Sequence, residues 1–110
     1  MKHLTHEQYA MNMVTQMQDN LLLSEEQICA GFYAAVKALD RANWCHIYFG
    51  DGVEPMVVEF ADKEAFARSV SATDANLLVG LAQYEAAHQK KFALFSSPHA
   101  SVLSALPGKD

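Results

Sequence analysis

The chain has 110 residues, 51% of them hydrophobic and 19% charged, with eight basic against thirteen acidic residues and a formal net charge of −5. That length suits one domain able to bury a core without metal or disulfide support, and the composition lies well away from that of disordered chains. The acidic balance, with no basic run longer than Lys90-Lys91, argues against direct nucleic-acid binding, which draws most of its affinity from phosphate neutralisation.

The chain opens Met1-Lys-His-Leu-Thr-His6, without a long apolar run, so no leader is expected. Leu21-Leu22-Leu23 is among the longest apolar stretches and is far too short to span a bilayer. Cys29 and Cys45 form no C-x-x-C and no disulfide framework. The expected setting is a reducing cytoplasm, with no membrane contact and both thiols free.

In chain order, Thr5 with Gln8 forms a capping-box pattern that opens a first helix, in which Ala10, Met13, Val14, Met17 and Leu21 share one face. Its Met11, Met13 and Met17 suit core filling. Ser24 with Gln27 repeats the pattern and starts a second helix near Glu25. There Ile28, Phe32, Ala35 and Leu39 make the main stripe, Cys29, Tyr33 and Val36 widen it on one side, and Ala30, Ala34 and Ala38 form a small-residue row on another. So wide an apolar arc predicts a central helix with Cys29 in the interior, and surface to spare for self-association. Asn43 is suited to end it.

At Asn43–Trp44 the apolar period changes. Trp44–Phe49 and Met56–Phe60 alternate as strands around the turn-rich Gly50-Asp-Gly-Val-Glu-Pro55. Trp44, His46 and Tyr48 share one face, Cys45, Ile47 and Phe49 the other. On the second strand Met56, Val58 and Phe60 share a face, and Glu59 marks the opposite face as the wetter one.

Asp62 can cap a third helix with Phe66 and Val70 inward, broken at Ser71-Ala-Thr73. Thr73 or Asp74 caps a fourth, lined by Leu77, Leu81, Tyr84 and His88, with Gly80 suggesting a tight crossing and Lys90 and Lys91 suiting its C-terminal dipole. Phe92-Ala-Leu-Phe95 fits a third strand or a continuation of that helix. Ser97 before Pro98 reads as an N-cap with proline at the first helical position, predicting a short terminal helix to about Leu106. The expected fold is therefore a mainly helical α+β single domain, helix–helix–hairpin–helix–helix plus a short terminal helix, with a two-stranded or at most three-stranded antiparallel sheet.

Chemical signals are sparse. His3 and His6 at i, i+3 lack a matching carboxylate or cysteine, so no metal site is expected, and His99 carries no signal. Cys45 and His46 are neighbours on a strand and point to opposite faces, which bars an activated pair. Glycine-rich phosphate loops, G-x-S-x-G and H-E-x-x-H are absent, and the calcium-loop spacing fails around Asp51. No catalytic residue or cofactor is predicted.

Two features remain. Asp51, Glu54, Glu59, Asp62 and Glu64 gather acidic charge around the hairpin turn and exit, with Lys63 among them, which could steer a basic protein partner. Trp44, His46 and Tyr48 present polar-tipped aromatics on one strand face, which suits a contact surface or a pocket shared with Tyr84 and His88 of the fourth helix. The expectation is a small, acidic, non-catalytic protein–protein interaction module, an adaptor, inhibitor or regulator that forms homo-oligomers. The alternative is a small-molecule-binding protein or enzyme using that pocket.

Overall fold

The capping signals at Ser24 and Asp62 set two helix starts in the computed structural model, which describes residues 17–86 and 91–106, the side chains of 84–86 and 105–106 excepted. The expected start of the first helix at Thr5, its Met11 and Met13, the His3–His6 pair, His88 and Lys90 lie outside the described residues. What is described of α1 is residues 17–21, where Met17 and Leu21 are fully buried. Leu22 then turns the chain with φ 54, a left-handed residue at a helix end. At α2 (Glu25–Leu39) the capping box forms as expected: the Gln27 N–H donates to Ser24 Oγ at 3.2 Å and the Ser24 N–H donates to Gln27 Oε1 at 3.0 Å. The same Gln27 sends its Nε2 to the carbonyls of Gly50 and Gly52, both at 3.2 Å, and so ties the hairpin loop to the start of α2.

β1 (Trp44–Tyr48) and β2 (Met56–Phe60) pair antiparallel, with Trp44 opposite Phe60 and Tyr48 opposite Met56. Asp62 accepts the Ala65 N–H at 2.7 Å and caps α3 (Lys63–Thr73), which turns Phe66 and Val70 inward as expected. α3 runs through Ser71-Ala72-Thr73 rather than breaking there. Asp74 ends it, and α4 (Leu77–Ala86) begins after one turn.

The sheet is larger than the sequence pattern suggests. β3 (Lys91–Ser96) and β4 (Ser101–Leu106) join it in the order β2-β1-β3-β4, and β1 pairs with β3 in parallel, Trp44 opposite Phe92 and Ile47 opposite Phe95. The expected two- or three-stranded antiparallel sheet is thus a four-stranded mixed one, and Phe92–Phe95 is strand. The terminal helix predicted from Ser97-Pro98 is β4 instead, paired antiparallel with β3. The local signal is sound but ambiguous. Ser97 Oγ does accept the N–H groups of His99 and Ala100, at 3.1 and 3.4 Å, as an N-cap would, and here that closes a turn. Val102 and Leu103 then bury on opposite faces, which only a strand between two layers can do.

The fold is α+β with helices on both faces of the sheet. On one side α1 and α2 cover Cys45, Ile47, Phe49, Ala93, Phe95 and Val102. On the other, α3 and α4 cover Phe92, Leu94 and Leu103, with Trp44 and Phe60 at the margin. A crossover through two helices is what parallel pairing of β1 and β3 requires. Among the described residues Gly80 makes no tight crossing: a side chain there would meet only Leu103, at 3.9 Å. Gly31 does, since a Cβ on it would lie 2.2 Å from Phe49 Cζ. The expected interior position of Cys29, Tyr33 and Val36 is also corrected. All three face solvent on the outer side of α2, because the buried stripe is narrower and runs through Ile28, Gly31, Ala35, Ala38 and Leu39. Lys91 serves a helix C-terminus, though not the one expected: its Nζ donates to the Leu39 carbonyl that ends α2. No helix among the described residues is long and apolar enough to cross a membrane.

Candidate functional site

His46 lies at the centre of the sheet with no exposed surface. β1 is flanked by β2 and β3 and covered on both faces, so the polar member of the Trp44, His46, Tyr48 face cannot reach water. Its hydrogen bonds are met from inside. Nδ1 lies 2.8 Å from Ser69 Oγ on α3, and Nε2 lies 2.6 Å from Ser96 Oγ at the end of β3. In the neutral ring one nitrogen donates to its serine while the other accepts from its own, and both hydroxyls can play either part. Burial penalises the imidazolium and lowers the pKa from 6.5 to about 4. Tyr48 stacks on the ring with centroids 3.6 Å apart and planes 25° from parallel, its own side chain reaching the surface.

Ser96, His46 and Ser69 have the contact order of a nucleophile, its base and the group that orients the base. Ser69 is half-buried, and the other two are sealed. Ser96 is only 6% exposed, His46 not at all, and Tyr48 covers the ring. On the opposite face of β1, burial together with the charge of Glu59 pushes the Cys45 thiol up to about 12, which leaves it an inert apolar filler.

The surface feature of the molecule is β2. It is an edge strand, and four of its five residues are exposed; only Phe60 is half-buried, its ring 5.7 Å from Phe66 and edge-on to it. Met56 is 69% exposed, and Val57, Val58 and Tyr48 are each more than a third exposed, with Val53 in the loop beside them. The five acidic residues flank this strip along the chain and are all exposed, Asp51 and Glu54 before it, Glu59 within it, Asp62 and Glu64 after it. Glu59 is engaged: the Arg41 guanidinium donates to its carboxylate, through Nε at 3.2 and 3.3 Å and through a closer contact from the other nitrogen. That hydrogen bond holds Glu59 below the usual carboxylate range.

No family model, curated protein or solved structure matches this chain. The indications of function are its own residues.

Of the residues expected to line a pocket, Trp44, His46 and Tyr48 do share one face with α3 and α4. The side chain of Tyr84 and all of His88 are outside the described residues. An open depression does occur, at the opposite end of β1, lined by residues 40–44 together with Phe60, Ala61 and Lys91. Among the described residues, Trp44 is its one member from the expected set. Among the described residues no group of three or more His, Cys, Asp or Glu could hold a metal ion. Sequence reasoning missed Ser69 and Ser96. Ser69 sits at i+3 from Phe66 on the inward face of α3, and Ser96 continues the Phe92, Leu94 alternation. Each is a polar residue in an apolar stripe, a signal visible once the stripe is assigned.

Proposed function

We propose that this chain is a small, non-catalytic protein–protein interaction module, an adaptor, inhibitor or regulator, that engages its partner at the β2 edge. One observation carries the reading: an edge strand of five residues exposes Met56 and Val58 on the face that carries Tyr48, and Val57 on the other. Soluble proteins ordinarily blunt such an edge with charge, proline or a covering element, because unpaired apolar strands associate. Among the described residues the blunting is confined to Pro55 at the start and Glu59 within, and the middle of the strand is left adhesive. Exposed apolar residues along an open strand, flanked by charge, have the anatomy of an interface.

The test is capture of partners from the source cell with wild-type protein and with Met56→Lys and Val58→Lys. Met56, 69% exposed, is a surface position where the change is expected to alter stability by about 0.5 kcal/mol or less, so a partner lost by that variant reports contact rather than unfolding. A partner retained by both variants with unchanged affinity would overturn the reading.

Self-association is proposed as part of the same reading, and the exposed Cys29, Tyr33, Val36 stripe of α2 is its natural surface. Light scattering should give a dimer that Tyr33→Glu dissociates; a monomer mass for the wild type across a dilution series would remove it. The cytoplasm is the proposed setting, in keeping with two free cysteines. A second reading, an enzyme, rests on the Ser96–His46–Ser69 contacts. Covalent labelling of Ser96 by a serine-reactive phosphonate, abolished in His46→Gln, would establish it.

A further inference from the structure

The direction of the backbone groups on β2 decides what kind of partner fits. The Phe49 N–H donates to the Ser96 carbonyl at 2.8 Å, and the Phe92 N–H donates to the Asn43 carbonyl at 2.9 Å. Odd-numbered residues of β1 therefore turn their peptide groups to β3, and Trp44, His46 and Tyr48 turn theirs to β2, since the two sides alternate along a strand. Their partners Phe60, Val58 and Met56 use their N–H and C=O groups on β1. Val57 and Glu59 are left pointing outward, and among the described residues no strand lies beside them.

Resting on the interaction reading above, we propose that the partner is an extended basic segment that adds to the sheet as a fifth strand, pairing its backbone with Val57 and Glu59. The chemistry of its side chains comes from the charges at the two ends of the edge. Asp51 and Glu54 stand at one end and Asp62 and Glu64 at the other, so the segment carries lysine or arginine on both sides of an apolar middle of about five residues, the length of β2 at about 3.4 Å per residue. A second copy of this chain is the wrong occupant. Antiparallel pairing of two β2 edges sets Asp51 and Glu54 of one copy against Asp62 and Glu64 of the other, and like charges at a contact suppress it. Strand addition gives affinity through main-chain bonds and selects by the side chains that alternate along it.

The probe is a capped nonapeptide with two lysines at each end and alternating valine and threonine between, compared with two relatives. One replaces the lysines with glutamate; the other is N-methylated at the amides that would face β2. Amide hydrogen exchange in the free protein should be fast at Val57 and Glu59 and slow at Val58. The lysine peptide should protect Val57 and Glu59, and raising salt from low to physiological strength should weaken it several-fold. The glutamate peptide and the N-methylated peptide should each bind at least roughly tenfold more weakly, the second because lost ladder bonds are lost affinity. Because both changes are in the peptide, the fold of the protein is untouched. Glu54→Lys with Glu64→Lys should abolish the preference for the lysine peptide; Asp62 is left alone because it caps α3.

No protection of Val57 and Glu59 by the lysine peptide at millimolar concentration overturns the proposal. So does full binding of the N-methylated peptide, which would mean side-chain docking on the β2 face and would leave the interaction reading standing. Protection of both amides without peptide, together with a doubled mass, would assign the edge to a second copy and likewise overturn it. Partner capture unaffected by Met56→Lys and Val58→Lys is the separate result that ends the interaction reading.

Discussion

A histidine closed in by two serine hydroxyls and a tyrosine ring stays neutral in the folded protein, so the stability of this chain carries the titration of His46. In the unfolded chain the ring takes up a proton near pH 6.5, and in the fold only near about 4. The unfolded state therefore binds the extra proton as pH falls between these values. The His46 contribution to stability should be level above about pH 6.5, decline by about 3 kcal/mol on acidification to about pH 4, and level off below. Chemical denaturation across that range should show the slope, and His46→Gln should flatten it whatever its effect at neutral pH. A wild-type slope unchanged in the variant would reject the assignment. Cysteine gives the second residue-scale test. Cys29 should react with a thiol reagent in the native protein at the rate of an exposed thiol, and Cys45 only as the protein unfolds. Rapid labelling of both would show the sheet open. The sequence pattern places Cys45 and His46 on opposite faces, as the structure has them. It cannot show that both faces are interior, because that depends on β3, far away in the chain.

At the scale of elements, α2 depends on a glycine that its helical pattern does not explain. Gly31→Ala should gain about 1 kcal/mol in helix propensity. The new Cβ, however, would lie 2.2 Å from Phe49 Cζ, and the Phe49 ring is itself backed by Phe95 at 6.5 Å between centroids. Overpacking of that kind costs about 1–3 kcal/mol, so the clash should win and thermal unfolding should come at lower temperature. Adding Phe49→Leu should recover part of the loss. A Gly31→Ala protein more stable than the wild type would show that Phe49 yields freely. Element starts are the most legible part of this chain, since Ser24 with Gln27 and Asp62 with Ala65 are bonds between residues three apart. The width of the buried stripe on α2 is not, because Tyr33 and Val36 look the same whether a neighbour covers them or water does. Ser97 marks the other limit: its hydroxyl makes the same local bonds in a turn as in a cap, and β3, across the hairpin, decides whether strand or helix comes after it.

For the molecule as a whole, the sheet is one cooperative object, with β1 holding it together from the middle. Without β3 and β4 the β1–β2 hairpin would lose its parallel neighbour, and the layer of α3 and α4 would lose Phe92, Leu94 and Leu103 from beneath it. A chain ending at residue 90 should therefore show no cooperative thermal transition and poorly dispersed amide resonances, since a lone hairpin is marginal in water. A sharp melt would mean that the first ninety residues fold alone. The acidic surroundings of the hairpin can be read from the sequence, as can the switch from helix to strand at Trp44. The mixed topology cannot, because Trp44 and its partner Phe92 are 48 positions apart and nothing local records a pairing over that distance. The same separation governs how the protein is made. At about 5–20 residues per second, β1 waits about 2–10 s on the ribosome before the strand that will lie beside it has been synthesised. Closing so long a loop is then a slow step for an otherwise small domain. During that interval the peptide groups of Cys45 and Ile47, which turn toward β3, have no strand to pair with, and the arrival of β3 is the event that satisfies them.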